Sequence, residues 1–183
     1  MKILIAPGPY KECLSADEVA DCILDGISSI DSAHELINFP LCDGGTGFVK
    51  RLIKRRNGNI RRSRVIGPLG YDIETFYGEM DNNTAVIESS AVCGLALVPQ
   101  TQRKPFLTTT YGVGQLIDEI SSKGFRRILV GMGDSSTNDG GAGALQALGV
   151  RLLDENNRDI GLGGGQLLRA RKIDLSKYKK PNL

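Results

Sequence analysis

The stretch Gly131 to Gly143 constrains this chain more than any other. It reads Gly-Met-Gly-Asp-Ser-Ser-Thr-Asn-Asp-Gly-Gly-Ala-Gly and follows directly on the apolar run Ile128, Leu129 and Val130. An apolar run that ends in glycines and then in hydroxyl, amide and carboxylate side chains predicts a buried strand opening into a loop at its carboxyl end. Open α/β sheets bind their ligands at that end. The small residues from Asp139 through Ala147 predict that the loop feeds a helix whose Gly-rich first turn offers free N–H groups to an anion. Asp139 also suits a plain helix cap, so residue type alone leaves it both a structural and a functional task.

Upstream, the pattern is strand, loop, helix, repeated. Lys2 to Ala6 reads as a buried strand, Pro7 to Leu14 as a loop, and Ser15-Ala16-Asp17-Glu18 as a capping box opening a helix with apolar Val19, Ala20, Ile23, Leu24 and Ile27 on one face. Glu35 to Phe39 reads as a second strand, and the loop Cys42-Asp43-Gly44-Gly45-Thr46-Gly47 leads into a helix with Phe48, Val49, Leu52 and Ile53. A βαβα order implies a parallel sheet. After Gly58 the texture changes: Ile60 to Ile66 and Ile73 to Met80 read as extended segments joined by the turn Gly67-Pro68-Leu69-Gly70. A domain boundary is therefore expected between Arg64 and Asp72. Thr108 to Lys123 reads as a helix stopped by Gly124, and Val150 to Leu153 as a further strand.

Composition narrows the function classes. Lys plus Arg number 23 against 21 Asp plus Glu, a balance that argues against nucleic-acid binding driven by bulk charge. The basic cluster Lys54, Arg55, Arg56, Arg61, Arg62 and Arg64 has no interleaved aromatics and reads as a solvated helix end and strand edge. Cys13, Cys22, Cys42 and Cys93 form no C-x-x-C pair, and His34 is the one histidine, which speaks against zinc. No run of about 18 apolar residues suggests a membrane span, and Met1 to Ala6 is too short for a signal peptide, so a cytoplasmic location is expected. There is neither a G-x-x-x-x-G-K-[ST] nor a G-x-G-x-x-G motif, which argues against P-loop and Rossmann dinucleotide sites. What remains are three polar loops after strands, around Lys11, Asp43 and Asn138-Asp139. Together they carry what phosphoryl transfer requires: N–H donors, a cation and carboxylates. A sugar-binding or nucleotide-binding module would show similar loops.

The order Met1-Lys2-Ile3-Leu4-Ile5-Ala6-Pro7, Leu14-Ser15-Ala16, Asp43-Gly44-Gly45, Gly67-Pro68-Leu69-Gly70, Ala85-Val86-Ile87-Glu88, Gly94 to Pro99, Thr109 to Gly114 and Ser136 to Gly149 closely resembles the amino-terminal part of the bacterial class I glycerate kinases. The longest motif is Thr137-Asn138-Asp139-Gly140-Gly141-Ala142-Gly143, followed by Leu145-Gln146-Ala147-Leu148-Gly149. The resemblance implies ATP- and Mg2+-dependent phosphorylation of D-glycerate, with 2-phosphoglycerate as the expected product. It also implies an α/β scaffold in which a parallel-sheet Rossmann-like domain, begun by residues 1–66, carries an inserted α/β domain, begun by residues 67–183. Lys11 is the expected substrate or phosphate cation, and Asp43 and Asp139 are the expected magnesium ligands or general base. Gly131, Gly133, Ser135, Ser136, Thr137, Asn138, Gly140 and Gly141 are expected to line the nucleotide phosphates.

The chain departs from the family pattern at its loops. Gly8-Pro9-Tyr10-Lys11-Glu12 stands where Asp-Ser-Phe-Lys-Gly is usual, Thr46 and Phe48 stand for Glu and Thr, and Asp134 replaces a glycine. An anion at 134 about 4 Å from a phosphate, at an effective dielectric near 20, would repel it by roughly 4 kcal/mol. The resemblance covers about half of the family's length, so both domains are expected to be incomplete. The expected partners are the missing carboxyl-terminal half or a second copy, and the competing expectation is a remnant that binds a nucleotide or small acid without turnover.

Overall fold

The structure is a computed structural model that describes residues 1–10, 12–30 and 33–183. Strands β1 (Lys2–Ile5) and β2 (Glu35–Asn38) pair in parallel, with Lys2 opposite Glu35 and Ile5 opposite Asn38. Helix α1 (Ala16–Ile30) stands between them in sequence. It begins where expected because the Ser15 N–H donates to the Glu18 carboxylate at 2.7 Å and the Glu18 N–H donates to Ser15 Oγ at 3.3 Å. That reciprocal box satisfies two of the donors a helix start leaves free. The Cys42–Gly47 loop leads into α2 (Phe48–Arg56), which is entered through Gly47 at φ 93 and left through Asn57 at φ 51.

A four-stranded sheet follows in the order β3 (Asn59–Ile66), β4 (Asp72–Glu79), β5 (Thr84–Glu88), β6 (Arg127–Gly131). β3 and β4 are antiparallel over eight residues, β4 and β5 antiparallel, and β5 and β6 parallel. The α/β class expected from the sequence holds, with mixed rather than uniformly parallel pairing. The cause is local: the turn at 67–70, with Gly70 at φ 85, is far too short for a parallel crossover, which needs a dozen or more residues. The boundary expected at 66/67 falls in the turn of this hairpin.

β5 is buried along its whole length. Ala85 and Ile87 pack with Val65, Tyr77 and Val92 and with Val113, Leu116 and Ile120 of α4 (Tyr111–Ser122), while Val86 packs with Val49 and Ile53 of α2. Helices therefore cover both faces, and each fully buried aliphatic side chain contributes about 1.5–3 kcal/mol. Close approach of α2 depends on Gly78, where a Cβ would stand 2.5 Å from Ile53 Cγ1. Helices α3 (Ser90–Cys93) and α5 (Ala142–Ala147) follow the ends of β5 and β6. Lastly β7 (Arg151–Leu153) and β8 (Lys172–Asp174) pair antiparallel around Val150, Leu152 and Ile160.

The basic cluster is spread over these elements. Lys54, Arg55 and Arg56 occupy the last turn of α2, where the helix dipole favours cations. Arg55 lies 4.2 Å over the Phe39 ring, and Arg61 and Arg64 pair with Glu79 and Asp72. Among the described residues no helix is long and apolar enough to cross a membrane.

Candidate active site

β5 and β6 run parallel with Glu88 opposite Gly131, so both strands deliver their carboxyl ends to one place. The Asp43 loop lies on top of it. A Cβ at Gly133 would stand 2.6 Å from Gly45 Cα, and one at Gly44 would stand 3.1 Å from the Met132 nitrogen, so these glycines let the two backbones touch. Asp134, at φ 52, then reaches across. Its Oδ2 accepts the Thr46 N–H at 3.1 Å and the Thr46 hydroxyl at 3.2 Å. Asp43 is exposed, and its Oδ1 accepts the Gly45 N–H at 3.0 Å.

The first loop is tied to the same region. The Arg103 guanidinium pairs with the Glu12 carboxylate and also donates to the Val98 carbonyl. Its hydrogen bond and charge hold the Glu12 carboxyl below the usual range. Lys11, the expected cation, lies outside the described residues.

Asp139 has a different setting from the one expected. It is 1% exposed, and its Oδ2 accepts the Thr110 N–H at 2.8 Å, the Gly143 N–H at 3.2 Å and the Thr109 hydroxyl at 3.4 Å. Its Oδ1 accepts the Gly141 N–H at 3.0 Å, and the Thr110 hydroxyl lies about equally close to both oxygens. The Thr110 hydroxyl in turn accepts the Ala144 N–H. The carboxylate thus fills the orphan donors at the start of α5 and binds them to the start of α4, leaving no acceptor position turned to solvent. Cys93 nearby is pushed up to about 12, by burial first and by the Asp139 charge second.

The expected anion nest is also narrower than its sequence suggests. The Ser136 amide donates to Cys93 O at 2.9 Å, the Asn138 amide to Pro105 O at 3.2 Å, and those of Gly141 and Gly143 to Asp139. Hydroxyls of Ser136 and Thr137 bond the Cys93 and Thr108 carbonyls. Their structural work follows from burial: inside the protein every amide needs an acceptor. The amides of Ser135, Thr137 and Gly140 have no acceptor among the described residues, and the Ser135 and Asn138 side chains are exposed. Gly140 and Gly141, at φ 60 and 78, supply the left-handed turn that an L side chain resists. Gly131 is buried against Phe48 and the Gly44 carbonyl.

Glu88 escapes the motif reading. It is 3% exposed, accepting the Val49 N–H at 3.1 Å through Oε2 and the Ser90 hydroxyl at 3.1 Å through Oε1. It therefore pins the first turn of α2, and with it the Asp43 loop, to the end of β5. A signal was present: one carboxylate closes the apolar run Ala85-Val86-Ile87, and a buried charge is costly unless hydrogen-bonded. Two surface depressions, of about 320 and 250 Å3, are lined by residues such as Arg151 and Lys177, or Lys50 and Glu74, outside the three loops. Strand-end position, not concavity, marks the candidate site.

The model of the glycerate kinase family matches residues 3–182. The chain is 48% identical over 177 residues to a glycerate kinase of Bacillus subtilis (strain 168), covering 96% of this chain and 46% of that protein. Against the glycerate 2-kinase of Escherichia coli (strain K12) it is 45% identical, with the same coverage. A crystal structure of the protein designated glycerate kinase 2 from Salmonella typhimurium LT2 superposes with a TM-score of 0.75 at 44% identity, covering 97% of this chain and 48% of that one. The chain thus spans about half the length of the curated relatives it matches, and with a family match over nearly all of its residues it belongs to the glycerate kinase family.

Proposed function

We propose that this chain supplies the Asp43, Asp134 and Glu88 side of a site for ATP-dependent phosphorylation of D-glycerate, giving 2-phosphoglycerate. The observation that carries the reading is the seating of the Asp43 loop on the parallel ends of β5 and β6, in a chain whose relatives are named glycerate kinases. In the reaction a glycerate hydroxyl oxygen bonds to the γ-phosphorus while the bond to the β,γ-bridging oxygen breaks, and the hydroxyl proton passes to a carboxylate. Asp43 is the carboxylate free to take it, since Asp139 is sequestered. Lys11 is assigned the phosphate charge, and the amides of Ser135, Thr137 and Gly140 are assigned to phosphate oxygens.

Magnesium fits this donor set. Among the described residues no three His, Cys, Asp or Glu side chains form a cage, and magnesium does not require one, because it is usually held by one or two carboxylates together with substrate phosphates and water. With Asp134 Oδ2 taken by the two Thr46 donors, exposed Asp43 is the carboxylate placed to hold it. When bound it offsets the charge of the transferred group.

Enclosure of both substrates needs a second wall, and we assign it to a polypeptide equivalent to the other half of the relatives or to a second copy. Leu4 (61% exposed) and Met132 (70%) leave apolar surface near the loops, and β6 is an edge strand open to pairing. The test is ADP release by the 183-residue chain with and without D-glycerate, alone and mixed with the carboxyl-terminal half of the Bacillus subtilis relative. Glycerate-dependent release in the mixture is expected. Magnesium-ATP binding by calorimetry without any release, alone or mixed, would instead support a binding module without turnover, a reading favoured by the burial of Asp139.

A further inference from the structure

We propose that Asp134 is a positioning residue: its carboxylate latches the 43–47 loop onto the end of β6 and thereby fixes where Asp43 stands. The proposal deepens the reading of these loops as a phosphoryl-transfer site and rests on it.

Three observations lead to it. The contact is double, since one oxygen of Asp134 takes both the N–H and the hydroxyl of Thr46, 88 positions away in sequence, and hydrogen bonds to an ionised acceptor are about twice as strong as neutral ones. Next, Asp134 and Asp43 converge on Gly45. A Cβ on that glycine would lie 2.5 Å from Asp134 Oδ2 and 3.0 Å from Asp43 Oδ1, so the latch and the expected reactive carboxylate meet on one residue. Finally, the backbone of Asp134 lies in the left-handed region, at φ 52, which Asp adopts more readily than most non-glycine residues. Its surroundings hold it there: the Asp134 carbonyl accepts the Leu95 N–H at 2.8 Å, and Ser135 bridges to Gly94. The main chain is clamped on one side so that the side chain can hold the loop on the other.

The sequence alone presents Asp134 as an anion intruding on a phosphate site. In the structure one of its oxygens is turned to two donors of Thr46, and the residue orders the loop. Replacing it by glycine therefore loosens the site.

The test uses the 15N-labelled 183-residue chain and two variants, Asp134→Gly and Asp134→Asn. Both residues tolerate positive φ, so backbone geometry is kept and only the acceptor differs. Amide hydrogen exchange at Thr46 and Gly45 is expected to accelerate at least about tenfold in the glycine variant, while the asparagine variant, which retains an acceptor oxygen, stays within about threefold at Thr46. Core amides of Leu116 and Ile120 serve as the control for intact folding. Calorimetry with magnesium-ATP should show weaker binding by at least about threefold in the glycine variant, with recovery in the asparagine variant. Equal Thr46 exchange in the parent and the glycine variant would overturn the latch, and faster exchange with unchanged affinity would overturn its positioning role. A parent that binds no magnesium-ATP would refute the phosphoryl-transfer reading instead, and the latch would then stand or fall on exchange alone.

Discussion

Replacing Asp139 by asparagine tests the tertiary reading of the longest motif. From sequence the change is mild, because Asn caps helices about as well as Asp. The structure predicts a large effect. Thr110 and Gly143 amides point at one carboxylate oxygen and the Gly141 amide at the other, so in either orientation of the side-chain amide its NH2 group faces at least one backbone N–H. One buried donor is then orphaned, at a cost of about 1–3 kcal/mol, and the surviving bonds fall from charge-assisted to neutral strength, about 1 kcal/mol each. The sum is roughly 3–5 kcal/mol, a large part of the about 5–15 kcal/mol that holds a typical domain. At about 2–4 °C per kcal/mol for a chain of this size, the midpoint of thermal unfolding followed by circular dichroism should drop by roughly 6–20 °C. A midpoint within about 2 °C of the parent would refute the hub, and loss of ligand binding at unchanged stability would return Asp139 to the reacting groups.

Glu88→Gln should leave stability within about 1 kcal/mol, since an amide can accept from Val49 N–H and donate to the Ser90 oxygen; urea unfolding checks this, and a fall in magnesium-ATP affinity in the same variant would show that its charge, not its shape, is used. Cys93 should resist thiol reagents at pH 8 while exposed Cys13 and Cys22 react. With its pKa pushed from 9.0 to about 12, only about one Cys93 thiol in ten thousand is the reactive thiolate at that pH, and mass spectrometry showing Cys93 labelled as fast as Cys13 in the folded chain would contradict the burial.

Features set by near neighbours were legible in the sequence. The capping box joins Ser15 to Glu18, three residues on, and the β3–β4 hairpin is dictated by the Gly67–Gly70 turn between two extended runs. The strand before Gly131 and the helix containing Val113, Leu116 and Ile120 likewise follow from local pattern and turn chemistry, although the strand lies at the sheet edge and is half exposed where its apolar run suggested burial. Family membership was carried by ordered motifs in the same one-dimensional way. What the motifs could not assign is which polar atoms remain free, because that depends on residues brought together by the sheet. Glu88 meets Val49 across 39 positions, Asp139 meets Thr110 across 29, and Asp134 meets Thr46 across 88. A carboxylate in sequence is a charge that can cap, bind or take a proton. Folding decides among these by burial, since a desolvated oxygen must be matched by donors. Asp139 is matched and enclosed, Asp43 is left exposed, and that distinction exists only in three dimensions.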